Sequence, residues 1–128
     1  MTTHVSRYFY LTELACSHCG KMELGEPFLA ELDRLREAFD GPLVVSSGYR
    51  CAQHPVEAKK AAPGAHNRAA IDACVYGATA YRLLGIAQLL GWTGIGVRQK
   101  GPLSSRYLHL DREESPRGEA PRPTVWSY

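Results

Sequence analysis

Four residues have the types and spacing that a metal centre needs: His66, Asp72, His109 and Asp111. Imidazole nitrogen and carboxylate oxygen both ligate zinc, and two imidazoles with one carboxylate leave a fourth position for water, which marks a catalytic site rather than a structural one. Asp72 lies inside the apolar run 70–76, where a carboxylate is costly to bury unless it is paired or metal-bound. His109 and Asp111 are two residues apart in the strand-like run 107–111. Strand alternation puts both on one face, about 7 Å apart, and turns Leu108 and Leu110 towards the core. Spacing alone leaves the metal open, because HxD pairs on strands are also ordinary solvent-facing or hydrogen-bonded residues.

A second group is sulfur-rich. Cys16 and Cys19 form a CxxC, and Cys51 and His54 form a CxxH. Together they suit a Cys3His zinc site; equally they suit one disulfide or buried free thiols. Cys74 falls in the strand-like run and reads as core.

The elements that must position these residues follow from hydrophobic periodicity. Phe28, Leu32, Leu35 and Phe39 recur at helical spacing and predict a helix over 27–39, with Pro27 in its first turn and Gly41 just past its end. Residues 43–45 read as a buried strand and lead into a turn at 46–50. Residues 51–69 are loop-like, punctuated by Pro55, Pro63 and Gly64. The run 70–76 reads as a strand, with Ile71, Ala73 and Val75 on one face and Ala70, Asp72 and Cys74 on the other. Ala80, Leu83, Leu84, Ala87 and Leu90 predict a helix over 79–90, ended by Gly91. Strands at 94–97 and 106–111 follow, joined by a polar loop. The tail from Arg112 is polar, and its closing aromatics, Trp126 and Tyr128, are expected to dock back on the domain. This order of strands and helices predicts one α+β domain over 1–128, a small antiparallel sheet packed with helices.

Composition bounds the function. Hydrophobic residues make up 45% and charged residues 22% of the 128, a globular balance that excludes a disordered chain or a coiled coil. Fifteen basic against thirteen acidic residues give a net charge of +2, and no basic stripe or aromatic platform points to nucleic acid. No segment reaches the roughly twenty apolar residues of a membrane span. The longest apolar stretch near the N-terminus, 8–11, is too short for the core of a signal peptide.

Several segments, in order, resemble the M15 family of zinc peptidases, in its D-Ala-D-Ala carboxypeptidase and phage endolysin branch. They are Glu13-Leu14-Ala15-Cys16-Ser17-His18-Cys19-Gly20, Ser46-Ser47-Gly48-Tyr49-Arg50-Cys51, Gly64-Ala65-His66, Ala70-Ile71-Asp72, His109-Leu110-Asp111 and the closing 122–128. The resemblance implies the small α+β fold shared with the amino-terminal domain of hedgehog proteins. It also implies one zinc ion held by His66, Asp72 and His109, with Arg50 contacting a substrate carboxylate or carbonyl oxygen. Two departures stand out. The segment from His66 to Asp72 is one residue shorter than the family's SxHxxGxAxD, with the Ser and the Gly missing. Many relatives carry Asp or Glu three residues before the last His, and Arg106 stands there instead.

Carried over, the resemblance implies hydrolysis of peptide bonds in bacterial peptidoglycan, as a carboxypeptidase or an endopeptidase. Asp111 is then either the general base or the acceptor that fixes the His109 ring. The partners expected are wall peptides, with no nucleic acid and no membrane span, for a monomer. Without a signal peptide, such an enzyme is cytoplasmic until released, or phage-associated. The competing readings are a zinc- or wall-binding module of the same fold that has lost activity, and a small zinc-ribbon protein built on Cys16, Cys19, Cys51 and His54.

Overall fold

The computed structural model describes residues 3–114 and 121–128. The chain opens with the single helical turn α1 (Leu11–Leu14) and the long helix α2 (Glu26–Phe39). Strand β1 (Val45–Ser47), the turn α3 (Pro55–Ala58) and a 3₁₀ turn over Ala65–Asn67 lead into β2 (Ala70–Ala73). Helix α4 (Gly77–Leu89) is followed by β3 (Gly94–Arg98), a 3₁₀ turn over Leu103–Ser105, β4 (Tyr107–Asp111) and β5 (Thr124–Ser127). The fold is α+β, as the sequence predicts. No helix among the described residues is long and apolar enough to cross a membrane.

The sheet runs β1-β2-β4-β3-β5. All neighbours are antiparallel except β3 and β5, which run parallel, so the sheet is mixed rather than purely antiparallel. The closing aromatics therefore dock as a strand. Alternation then separates two faces. Ile71, Ala73, Ile95, Leu108 and Leu110 enter the core, where they join Leu32 and Leu35 of α2 and Leu83 and Ala87 of α4. Asp72, His109 and Asp111 stand on the opposite face and are still buried.

Three local expectations shift. The strand expected at 43–45 pairs instead over Val45–Ser47, with a register irregularity against β2 between Val45 and Ser47. Val44, just before the edge strand β1, is 60% exposed. Helix α2 ends at Phe39, as expected, but the left-handed cap falls on Asp40 (φ 55°) rather than on Gly41. In α4, Ala80, Leu83 and Ala87 are buried, whereas Leu84, and Leu90 just past the helix end, are only partly covered.

Two glycines on β3 open the site face. Gly94 pairs with Asp111 and Gly96 with His109. A Cβ at Gly94 would collide with the Asp111 carboxylate, and one at Gly96 with the Trp126 indole. Gly94→Ala is therefore expected to destabilise the fold by about 1–3 kcal/mol, the usual range for overpacking, and to displace Asp111. Chemical denaturation of the variant checks this; parental stability would contradict it.

Candidate metal centre

Three ligand atoms converge. His66 Nε2 lies 3.2 Å from Asp72 Oδ1, and His109 Nδ1 lies 3.2 Å from both. Each arrives from a different element. Asp72 and His109 are cross-strand partners on β2 and β4, so sheet register brings them together. His66 sits on the 3₁₀ turn that precedes β2. From that turn its ring reaches Asp72 and His109.

Both rings are fixed by the nitrogen turned away from the cluster. His66 Nδ1 lies 2.8 Å from Gly48 O. A carbonyl only accepts, so Nδ1 donates, and in the neutral ring Nε2 carries the lone pair. His109 Nε2 donates to Asp111 Oδ2 at 2.7 Å, leaving the Nδ1 lone pair towards the cluster. Three electron-rich atoms thus face one another on buried side chains, an arrangement that calls for a cation. The donor set fits one. Zinc bonds of about 2.0–2.1 Å in a tetrahedron place ligand atoms about 3.3–3.4 Å apart, close to the triangle seen here.

The surrounding charges act on the carboxylate and on the imidazole in opposite directions. Burial would raise the Asp72 carboxyl, but the His109 and His66 rings beside it, cationic once protonated, outweigh it and hold it well below the usual carboxylate range. Burial pulls His109 down, yet Asp111 and Asp72 together raise it above the ordinary histidine value. Arg50 Nη2 lies 3.5 Å from Asp72 Oδ2, and its Nη1 lies 3.3 Å from Glu57 Oε2. Glu57 is buried; it also accepts from Gly64 N–H at 2.6 Å, which ties the loop before His66 to Arg50.

Asp111 stands behind His109. It is fully buried and does not line the cleft. Besides His109, it accepts from Arg122 Nη2 at 2.8 Å and Nε at 3.0 Å, and from Glu113 N–H at 3.2 Å. Burial would raise its carboxyl, but the His109 and Arg122 hydrogen bonds bring it down to about 2. An unfolded Asp titrates near 3.9, so this carboxylate stabilises the fold fully above about pH 4, and that contribution is lost as pH falls towards about 2. Thermal unfolding should show the fall over that window, and Asp111→Asn should flatten it. An equally steep fall in the variant would assign the acid sensitivity to other groups.

The cleft over the cluster has a volume of about 540 Å³, within the size range of ligand sites. Arg50, Lys60 and Arg122 give its walls positive charge, and Tyr107, Trp126 and Tyr128 give them aromatic surface. Among the described residues, Asp72 is the only carboxylate lining it. Arg106 donates from Nε to Gly101 O at 3.1 Å and stays outside the cleft lining.

The structure thus brings together the predicted His66, Asp72, His109, Arg50 and Asp111. Glu57, Arg122 and the Gly48 carbonyl had not been singled out as parts of a site. Arg122 lies in the closing segment that resembles relatives, which was the one available signal; Glu57 had none. The second predicted group is only partly assembled. Cys16, Cys19 and Cys51 converge, whereas His54 lies outside that set.

The family model described as Peptidase M15 matches residues 7–111. That span includes all three ligand candidates and Arg50, and it stops before Arg122 and Trp126. Neither the curated proteins nor the solved structures provide a match.

Proposed function

Because the chain belongs to the peptidase M15 family, we propose that it is a zinc-dependent peptidase of bacterial peptidoglycan, acting as a monomeric single domain. The observation that carries the metal dependence is the triangle of His66 Nε2, Asp72 Oδ1 and His109 Nδ1, 3.2 Å on each side and with both ring tautomers set from behind. Zinc, when bound, polarises a scissile carbonyl and acidifies its water. The protein's own groups do the rest. Gly48 O and Asp111 hold the two imidazoles in the ligating tautomer. In this reading Asp111 orients His109 rather than acting as the base, because it accepts four hydrogen bonds and is fully buried, outside the cleft lining. Arg50 and Lys60 present positive charge to a peptide carboxylate, and the aromatic wall covers its side chains.

The carboxylate reading of Arg50 has a direct test. Arg50→Lys keeps the charge but loses the planar fork. A charge-assisted hydrogen bond is worth roughly 1.5–3 kcal/mol, so kcat/KM on a free-carboxylate peptide should fall about ten- to a hundredfold at unchanged metal content. A peptide amidated at that carboxylate should be poor for the parent and indifferent to the substitution. Values within a factor of two in both comparisons would remove Arg50 from substrate binding.

One observation favours a second reading, a wall-binding module without turnover: no carboxylate other than Asp72 lines the cleft among the described residues. Sedimentation with insoluble peptidoglycan that releases no new peptide termini would select it.

A further inference from the structure

Some distance along the chain from the His-Asp-His cluster, a second set of metal-type side chains converges. The Sγ atoms of Cys16, Cys19 and Cys51 all lie within 4.8 Å of one another. All are free thiols; Cys16 and Cys51 are buried, and Cys19 is exposed. A disulfide needs two sulfurs, and here three are gathered.

The backbone around them is built for sulfur ligation. Between Cys16 and Cys19 the chain folds into a tight knuckle: Gly20 N–H donates to Cys16 O at 2.8 Å, and Cys16 N–H donates to Lys21 O at 2.8 Å. Gly20 holds φ at 79°, a conformation that favours glycine. Cys51 N–H donates to Cys16 Sγ at 3.4 Å, and the backbone N–H groups of His18 and Cys19 reach the same sulfur. Amide donors of this kind are the outer shell that supports a ligating sulfur. His54 stands beside the set but is engaged elsewhere. Its Nδ1 accepts from Val56 N–H at 3.1 Å, capping α3, and its Nε2 lies 3.2 Å from Ser17 Oγ.

We propose that Cys16, Cys19 and Cys51 hold a second, structural metal ion of the thiophilic class that zinc represents, distinct from the His66-Asp72-His109 centre. Soft thiolate sets select such ions, and closed sulfur-rich sites serve folding rather than turnover. The fourth position falls to His54 once its ring leaves the helix cap, which closes the set.

The place of this ion gives it a task. Cys16 lies two residues past α1, and Cys51 directly follows Arg50. Tyr49 N–H donates to Leu14 O at 2.8 Å, and a Cβ on Gly48 would run into the Leu14 backbone. The ion would therefore pin the α1 segment onto the stretch that carries the Gly48 carbonyl and Arg50, the frame of the first centre. The inference does not rest on the peptidase reading.

Cobalt substitution of the full chain, purified reduced, tests it. Co²⁺-loaded parent should hold two ions and show the near-ultraviolet charge-transfer band of thiolate-bound cobalt. His109→Ala should hold one ion and keep that band in full. Cys51→Ser should lose the band and keep the cobalt at the His-Asp-His centre. Should Cys51→Ser fail to fold, the parent and His109→Ala still decide. Absence of the band in both of these, or a disulfide among the three cysteines with one ion per chain, overturns the proposal.

Discussion

His109→Ala is expected to lose one equivalent of bound metal relative to the parent and to reduce peptide hydrolysis to the level of a metal-free blank. His109 supplies one corner of a triangle that is 3.2 Å on each side, so its loss opens the triangle. The remaining His66 and Asp72 come from a 3₁₀ turn and a strand only six residues apart, and no other described residue completes their group. The substitution also leaves Asp111 without its His109 donor, although Arg122 and the Glu113 amide still satisfy it. The fold should therefore survive with reduced stability, and metal analysis of a folded variant is a fair comparison. Parental metal content in His109→Ala would show that the ion sits elsewhere.

Asp111→Asn should separate orientation from base catalysis. The carboxylate is a two-sided acceptor, for His109 Nε2–H on one side and for the Arg122 guanidinium, whose side chain is 4% exposed, on the other. Asn replaces one accepting oxygen with an NH2 group that points at a donor. Breaking a buried pair by removing one partner costs about 3–5 kcal/mol, so the unfolding temperature should drop by roughly 10 °C or more. Loss of the acceptor behind a metal-ligating imidazole typically weakens metal binding about ten- to a hundredfold. Both effects should appear together in calorimetry and metal titration. A variant with parental stability and metal affinity but slowed turnover would restore Asp111 as the base.

Local pattern made the helices and central strands legible. The stripe Phe28, Leu32, Leu35 and Phe39 marks α2 because a helix repeats every 3.6 residues, and the alternation through Leu108, His109 and Leu110 marks β4 because a strand repeats every two. The same alternation placed His109 and Asp111 on one polar face; that Asp72 shares it comes from the register of β2 against β4. Non-local pairing carries no such period. Nothing in the residues 122–128 says that they pair in parallel with β3, or that Arg122 thereby reaches Asp111. The bounds of edge strand β1 moved by two residues because two of its three residues, Ser46 and Ser47, are serines that hydrophobic patterning does not mark as strand. The Gly48 carbonyl that sets the His66 tautomer is backbone, invisible to any reading of residue types. Glu57 was unreadable for a different reason. An acidic residue in a Lys-rich turn reads as surface, and only the fold turns it inward against Arg50 and Gly64.

Digestion of purified peptidoglycan by the parent protein, read by mass spectrometry, tests the central claim most directly. The digest is run with the protein as purified, after metal removal by a chelator, and after zinc is restored. Newly released peptides or D-amino acids, with fresh amino and carboxyl termini, should appear in the first and third digests and vanish in the second, and His109→Ala should release none. Retention of the protein on the wall with no new termini in any digest would contradict the peptidase account, as would cleavage that persists undiminished without metal.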